Sequence, residues 1–383
     1  MLKAAKRGTL RALKGLGLSR RVRNSAWRRS RLLILCYHGI SLDDEHEWDS
    51  SFYMSPADFE GRLRSIQRCG YAVLPLGVAL ERLYANMLRE PTVAITFDDG
   101  IYDFRQQAYP LLEKYRFPAT VYLTTYYCER QQPVFPPFCS YLLWKGRDSV
   151  LDARGILDAK AERWDLRTAA GRTGAFKAII AFADRARLTT LEKTELAEAV
   201  ARRLGVDYDA LVARRMLHLL NPREVADLAT RGVEFQLHTH RHYAPSDRAL
   251  FLREIHDNRE RIHGMVGSEP THFCYPCGYY ERKWLAWLAE AGVTSATTGE
   301  PGLATSRTNS LLLPRLVDTA NLAPLEFEAW LGGVGALLPR RRREVAARPF
   351  SEEIRVASAC APSGSGATAS EGTATTRHRS VRT

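Results

Sequence analysis

The stretch that decides the fold is Thr92-Val-Ala-Ile-Thr-Phe-Asp-Asp-Gly100. Its first six residues are apolar or β-branched and predict a buried strand, which ends at two adjacent carboxylates, Asp98 and Asp99. In a parallel α/β sheet, ligands and catalytic groups collect at the carboxyl ends of the strands. Neighbouring acids repel each other unless a bound cation takes one and leaves the other free as a base. The pair therefore predicts a functional position, with a plain Asp-Asp-Gly turn as the alternative.

Strand-like and helical patterns alternate around this stretch, from residue 31 to about residue 337. The predicted strands span residues 32–37, 72–74, 93–97, 119–123, 233–237, 272–275, 294–298 and 311–317. The predicted helices span residues 56–69, 104–115, 222–230, 247–265, 281–291 and 324–331. Alternation of this kind predicts a parallel sheet, either open or closed into a barrel.

One connection, between the strands at 119–123 and 233–237, is far longer than an ordinary α/β crossover. Within it, residues 126–221 are rich in Ala and Arg and contain few strand formers. We therefore predict a helical insertion at about 126–221 that covers one face of the sheet and shapes the substrate cleft. A separate domain without catalytic relevance is the alternative.

The positive charge of the chain is concentrated at its start. The net charge is +12, and residues 1–31 contain 11 Lys or Arg and no acid, so the remainder is close to neutral. This predicts a basic arm over residues 1–30, not a nucleic-acid-binding domain. Leu10, Leu13 and Trp27 give the arm apolar side chains for contact with an anionic membrane, with a solvated, frayed arm as the alternative.

The remaining composition bounds the class of protein. Seven scattered cysteines and no apolar run near the ~18–20 residues of a membrane span favour a cytoplasmic protein with free thiols, peripheral at most on the inner membrane face. Residues 338–383 are predicted to be a disordered tail, because 16 of the 24 residues from 360 to 383 are Ser, Thr, Gly or Ala.

A histidine cluster, His238-Thr-His240-Arg-His242, follows the predicted strand 233–237. His238 and His242 have the His-x₃-His spacing of metal ligands, and neutral imidazole binds Zn²⁺ and other first-row metals. A chance surface cluster is the alternative, but this cluster also ends a strand, as the Asp pair does. Two imidazoles and one carboxylate would leave coordination positions open for water and substrate.

A third segment, Phe273-Cys-Tyr-Pro-Cys-Gly278, also ends a predicted strand. Cys274 and Cys277 form a Cys-x-x-Cys pair, but a second pair for a zinc knuckle and a following helix for a redox motif are both missing. A tight Pro-x-Gly turn that presents backbone N–H groups is the favoured interpretation.

These three motifs occur in the order found in the polysaccharide deacetylase family (NodB homology, carbohydrate esterase family 4), which the chain resembles over about residues 31–330 without the insertion. Cys36-Tyr-His-Gly-Ile40 and Leu313-Pro-Arg315 are similar to its flanking segments. The resemblance implies a distorted (β/α)7, TIM-like barrel. It also implies a divalent metal ion, usually zinc, on Asp99, His238 and His242, with Asp98 as general base and the Cys277 backbone N–H as oxyanion donor.

The implied reaction is metal-dependent hydrolysis of a non-peptide carbon–nitrogen bond. It removes N-acetyl groups from an acetamido sugar, in a polysaccharide or in a lipid- or nucleotide-linked precursor. A metal ion would polarise the amide carbonyl and lower the pKa of its bound water, to about 7 in the most favourable zinc sites. Nucleic acid is not an expected partner.

The chain departs from the family at two positions. The arginine that orients the base is replaced by Cys274, and the Leu-x-His motif of the general acid is missing. The proton donor to the leaving amine is therefore open among His38, His240, His272 and metal-bound water. The candidates for lining the substrate cleft are His38, Tyr275, Pro276, Arg315 and His240.

Two other function classes stay open at this point. A non-catalytic carbohydrate-binding homologue would explain the missing acid and arginine, although it has no need of the spare carboxylate of Asp98. An iron oxygenase with two histidines and one carboxylate has the same ligand types, but it is expected on a different scaffold.

Overall fold

The computed structural model describes residues 2–157 and 163–338. The strands are β1 Leu32–Tyr37, β2 Gly39–Ile40, β3 Tyr53–Met54, β4 Ala72–Val73, β5 Thr92–Phe97, β6 Thr120–Leu123, β7 Val150–Asp152, β8 Arg163–Asp165, β9 Glu234–Leu237, β10 His272–Cys274, β11 Ser295–Thr297 and β12 Leu316–Val317. The helices are α1 Leu2–Gly15, α2 Leu18–Arg23, α3 Ala26–Arg29, α4 Glu45–Trp48, α5 Pro56–Arg68, α6 Leu76–Tyr84, α7 Tyr109–Tyr115, α8 Thr125–Cys128, α9 Phe135–Lys145, α10 Ala169–Arg185, α11 Thr190–Arg203, α12 Tyr208–Ala213, α13 Pro222–Thr230, α14 Arg248–Val266, α15 Arg282–Glu290, α16 Pro324–Leu331 and α17 Val334–Leu337.

The central sheet is parallel and curls into a barrel. Its path is β11-β10-β9-β6-β5-β1-β12, and β4 pairs with the first residues of β5. The path closes because Leu313 bridges to Thr297 of β11 while β12 pairs with β1. Seven strands on this path, with helices between them, confirm the predicted distorted (β/α)7 barrel.

The strands and helices form where the sequence pattern predicts them. All residues of β1, β5 and β6 are buried, as expected for parallel strands that are covered on both faces. The helix α5 starts with Pro56 behind Ser55, whose hydroxyl accepts from the Asp58 backbone N–H. Asn221 and Glu224 form a capping box at the start of α13. The local signals and the packing therefore agree.

Two predicted elements differ because of proline. The strand predicted at 311–317 is reduced to β12 and a single bridge at Leu313, because Pro314 has no N–H to donate to a ladder. The helix predicted at 104–115 begins with a π-helical turn, Phe104–Ala108, before it continues as α7 with Pro110 in its first turn.

The described residues of the predicted insertion form five helices, α8 to α12, and the antiparallel hairpin of β7 and β8. Its buried side chains, among them Phe138, Leu142, Ile179 and Val200, form a hydrophobic cluster distinct from that of the barrel. Ile101 belongs to this cluster and bridges to Leu219, next to the Asp98-Asp99 turn. The insertion therefore packs directly against the edge of the barrel where the carboxylates lie.

The start of the chain differs from the predicted frayed arm. Residues from Leu2 onward form α1, α2 and α3, and Leu10 is buried against Ala329 and Val334. Arg28 is fully buried and donates to the carbonyls of Leu331, Arg31 and Thr92 at 2.8, 2.8 and 3.4 Å. Three charge-assisted hydrogen bonds at the first residues of the strands hold the segment in place. The predicted tail, from residue 339 onward, lies outside the described residues.

Candidate active site

The predicted site residues follow three neighbouring strands. Asp98 and Asp99 come directly after β5, His238 directly after β9, and the turn with Cys277 shortly after β10. Strands β5, β6, β9 and β10 are consecutive in the sheet, so these residues share its carboxyl edge. The backbone N–H of Asp98 donates to the Tyr37 carbonyl at 2.9 Å, which continues the β1–β5 pairing into the site.

The structure brings the three predicted metal ligands together. Oδ1 of Asp99 lies 3.1 Å from Nε2 of His238 and 3.2 Å from Nε2 of His242. The two imidazole rings are 4.9 Å apart between centroids. Burial alone would raise the pKa of Asp99, but the imidazoles of His242 and His238 hold it well below its ordinary value. An ionised carboxylate and two imidazole nitrogens thus converge on one point.

The orientation of His238 suits a metal ligand. Its Nδ1 lies 2.9 Å from the Cys274 carbonyl oxygen, which can only accept, so Nδ1 carries the proton. The lone pair of Nε2 then points to the side of Asp99, the arrangement by which a carbonyl fixes a metal-binding histidine. Two imidazoles and a carboxylate are a donor set for zinc and other first-row divalent metals. The residues present therefore fit the metal ion that the family implies.

The backbone is held in unusual conformations at the same point. Asp99, Thr239, His242 and Cys277 have φ values of 70°, 63°, 57° and 58°, in the left-handed region that L-residues rarely adopt. Such residues cost on the order of 1–3 kcal/mol each and persist only where the surroundings impose them.

The helix α14 imposes the shape of the histidine loop. The side chain of Asn258 accepts from the His238 backbone N–H at 2.9 Å and donates to the Leu123 carbonyl at 2.9 Å. Glu254 accepts from the Arg241 backbone N–H at 2.8 Å, and its own carbonyl accepts from the His240 N–H at 3.2 Å. The loop is therefore fixed by hydrogen bonds before any ligand binds.

Asp98 is held by an arginine. The Arg315 guanidinium donates to both oxygens of Asp98, at 2.7 and 2.8 Å, and both side chains are buried. Burial opposes ionisation, but the Arg315 charge holds the pKa of Asp98 well below its ordinary value. The thiols of Cys36 and Cys274 each lie 3.4 Å from Oδ2 of the same carboxylate.

Arg315 thus places a guanidinium beside Asp98, whereas the position of Cys274 carries none. The nearby Asp318 pairs elsewhere, since it accepts from Arg62, at 2.9 Å, and from the Tyr37 hydroxyl, at 3.1 Å. Asp98, the predicted base, therefore has a charged partner that comes from another segment of the sequence.

The sequence profile of the family described as polysaccharide deacetylase matches residues 85–163 and 186–296, which include the Asp pair, the histidine cluster and the Tyr-Pro-x-Gly turn. This chain belongs to the polysaccharide deacetylase family. A 104-residue stretch is 35% identical to the Bacillus subtilis (strain 168) protein named "Putative polysaccharide deacetylase YxkH", and it spans 26% of this chain and 35% of that protein. The chain thus spans about a third of the length of this curated relative.

Solved structures share the fold. The deacetylase PplD of Streptococcus pyogenes, solved in complex with acetate, superposes with a TM-score of 0.51 over 81% of this chain and 99% of that chain, at 18% identity. BC0361, a polysaccharide deacetylase of Bacillus cereus, superposes with a TM-score of 0.48 over 79% and 69%, at 15% identity. At 18% identity the likeness to PplD shows the fold of this chain and no more.

Of the histidines considered as proton donors, only His38 lies beside Asp98. Its Nε2 is 3.8 Å from Oδ2 of Asp98, its ring packs on Phe52 at 4.3 Å between centroids, and its side chain is 21% exposed. Burial lowers the pKa of His38, and Asp98 partly opposes that shift. The ring of His240 is turned to α8, where Nδ1 bonds the Thr125 hydroxyl at 2.9 Å. His272 starts β10, so it lies at the opposite edge of the sheet.

The other predicted cleft residues are buried in the structure. Tyr275 is fully buried and donates to the Leu311 carbonyl at 3.0 Å, and Pro276 and Arg315 are buried as well. These residues and His240 are buried beneath the site and support it. The turn at Cys277 is tight, because a Cβ on Gly278 would lie 2.7 Å from the Gly299 nitrogen.

Sequence reasoning missed three residues that hold this site. Asn258 is a fully buried amide on α14, and its signal is a polar residue among the apolar ones on the buried face of a predicted helix, a face that it shares with Glu254. Cys36 and Cys274 were recognised as cysteines but not as donors to Asp98. Nothing in their spacing reveals that contact, since 62 and 176 residues separate them from Asp98.

Proposed function

We propose that this deacetylase removes N-acetyl groups from an acetamido sugar by hydrolysis of the amide carbon–nitrogen bond. The observation that carries the proposal is the convergence of Asp99, His238 and His242, with the ionised carboxylate of Asp98 next to them. A binding module without catalysis has no use for a buried acid that Arg315 keeps ionised beside a ligand set.

The ligand set suits a divalent metal ion, and zinc is the ion we propose. Asp99, His238 and His242 would hold it through one oxygen and two Nε2 atoms. When bound, such an ion supplies a Lewis acid for the amide carbonyl and lowers the pKa of water. Arg315 lies against Asp98 and would oppose a cation there, so of the acids only Asp99 is assigned as a ligand.

Asp98 is proposed as the general base. Oδ1 accepts one hydrogen bond, from Arg315, while the second Arg315 nitrogen and both thiols lie at Oδ2, so Oδ1 keeps a lone pair that can accept a proton from water. The bidentate contact with Arg315 fixes the direction of the remaining lone pairs. General-base catalysis requires hydrogen-bond reach of about 2.6–3.2 Å, which a fixed carboxylate meets at no cost in reorganisation.

The proton balance then assigns roles to His38 and Cys277. Water loses one proton to Asp98 as its oxygen bonds to the amide carbon, and the negative oxygen that forms accepts a hydrogen bond from the Cys277 backbone N–H. The carbon–nitrogen bond breaks as the amine takes a proton from His38, which we propose relays the proton received by Asp98. Acetate and a free amino sugar are the products.

The proposed setting is the cytoplasmic face of a membrane. The six cysteines among the described residues are free thiols, as expected in a reducing compartment. Among the described residues, no helix has the length and apolar character to cross a membrane. The basic helices α1 to α3 would instead contact anionic lipid from outside, with the exposed side chains of Leu16 and Leu18.

The position of these helices constrains the substrate. They lie where the strands begin, and the candidate active site lies where the strands end. A sugar linked to lipid in that membrane would have to extend past the barrel, at least the length of β1, about 20 Å at ~3.3 Å per residue. An N-acetylated polymer fits this arrangement better than a short lipid-linked precursor.

Acetate release from N-acetylglucosamine oligomers tests the proposal. We expect activity in the metal-loaded protein, its loss after chelation and its return on addition of Zn²⁺. The His238→Ala variant should bind no metal at this site and stay inactive after Zn²⁺ addition. Tight binding of the oligomers without any acetate release would instead identify a carbohydrate-binding protein.

A further inference from the structure

A second pocket of the molecule has no role in the proposed reaction. It lies between α8, the start of α9, α11 and α12, all of which belong to the insertion. Its lining includes five aromatic rings, those of Tyr126, Tyr127, Phe135, Phe138 and Tyr208. Pockets that combine apolar rings with a few polar groups are typical of small-molecule and sugar sites.

Two cations face this pocket without an acidic partner. Arg130 stacks on Tyr126, with its guanidinium carbon 3.6 Å from the ring centroid, and Lys193 lies 5.9 Å from the centroid of Phe135. No carboxylate in the described part of the chain lies within 4.0 Å of either cation. Neighbouring arginines differ, since Arg261 pairs with Glu129 and Arg241 with Glu254. Asp184 acts on Lys193 only from beyond ion-pair distance, so the pocket carries positive charge that no ion pair among the described residues neutralises.

An acceptor in the same pocket also has no partner. Oε1 of Gln132 is buried, and the described residues offer it no hydrogen-bond donor. A buried acceptor without a donor is unfavourable, and native structures contain few of them. A hydroxyl of a ligand in the pocket would donate to this oxygen. The pocket therefore suits a ligand with an apolar face for the rings, hydroxyl groups for the acceptor and a negative charge for the two cations.

We propose that the pocket binds a sugar residue that carries a carboxylate, as a further subsite of the glycan. This inference rests on the proposed function, because it places the acidic sugar in the same chain as the acetamido sugar. The backbone links the two sites, since the Tyr126 N–H donates to the His240 carbonyl at 2.8 Å, within the loop of His238 and His242. A neutral sugar would stack on the rings but leave Arg130 and Lys193 unpaired.

Equilibrium binding to the metal-loaded Asp98→Asn protein tests this subsite without turnover. Calorimetry compares a tetrasaccharide of alternating N-acetylglucosamine and glucuronic acid with a tetramer of N-acetylglucosamine. We expect tighter binding of the acidic tetramer, with an advantage that falls as salt is raised. Adding Lys193→Gln should weaken the acidic tetramer about tenfold, as loss of a charge-assisted hydrogen bond does, and leave the neutral one unchanged.

Lys177→Gln is the matched control, because Lys177 is an exposed lysine of the insertion outside the pocket. Equal affinities for the two tetramers, or equal effects of Lys193→Gln and Lys177→Gln, would overturn the proposal. If the wild-type protein releases no acetate but charge-dependent binding persists, the catalytic proposal fails and the subsite stands. If acetate is released without this discrimination, the subsite fails and the catalytic proposal stands.

Discussion

Each end of the barrel contains a buried arginine, and the two arginines have different partners. Where the strands begin, Arg28 is buried against three backbone carbonyls, and the helices α1 to α3 contain basic residues and no acid. Where the strands end, Arg315 is buried against a carboxylate, and left-handed residues accumulate around it. A buried arginine at the first end closes the fold, whereas one at the second end keeps an acid ionised. On the proposed function, chemistry and membrane contact would therefore be separated by the length of the barrel.

The largest effect is expected at the carboxylate that Arg315 holds. Asp98→Asn keeps the size of the side chain but cannot accept the proton, so kcat should fall about 10²–10⁴-fold, the usual contribution of a general base. Zinc content per protein should be unchanged, because Asp98 is not in the ligand set. Steady-state acetate release with elemental analysis checks both, and a variant of full activity would remove Asp98 from the mechanism.

Breaking the buried pair from the other side should cost stability as well as activity. Arg315→Met leaves Asp98 buried and charged without its partner, a loss of about 3–5 kcal/mol in the free energy of unfolding. The double variant Asp98→Asn/Arg315→Met should recover much of that stability but no activity. Urea unfolding of the three variants measures this coupling, and additive losses would show that the two side chains do not depend on each other.

The matching change at the amino end should separate stability from catalysis. Arg28→Met removes the donors to the Leu331, Arg31 and Thr92 carbonyls, which we expect to cost about 1–3 kcal/mol in the free energy of unfolding. At a temperature where the variant is folded, its kcat/KM should equal that of the wild type. A large loss of kcat/KM in the folded variant would contradict the separation of the two ends.

The sequence predicts more of the carboxyl end of the barrel than of its amino end. The Asp pair and the histidine cluster are short motifs at strand ends, so their meeting follows from the order of a parallel barrel. The contact of Arg315 with Asp98 spans 217 residues and has no spacing rule, so only the folded chain reveals it. For the amino end the sequence leaves a frayed arm open as an alternative, and only the burial of Leu10 and Arg28 in the folded chain excludes it.

The smallest effect is expected for contact with lipid. Leu16 and Leu18 are 74% and 37% exposed at the start of the chain, among exposed arginines such as Arg20 and Arg21. Arg20→Gln/Arg21→Gln should weaken binding to phosphatidylglycerol vesicles by about 1 kcal/mol per charge, with no change on phosphatidylcholine vesicles. Leu16→Ser/Leu18→Ser should also weaken binding, whereas Met87→Ser, an exposed apolar residue outside α1 to α3, should not.

Anomalous diffraction from zinc-loaded crystals tests the central claim most directly, because three groups of side chains within residues 2–157 and 163–338 offer ligand atoms to an ion. We predict a single strong peak within bonding distance of Asp99, His238 and His242. A peak between Cys36, His38 and Asp98, or between Asp98, His238 and Cys274, would contradict the account, since Asp98 would then be a ligand and not the base. A fully occupied zinc ion at any other position, with no ion on Asp99, His238 and His242, would contradict the account as well.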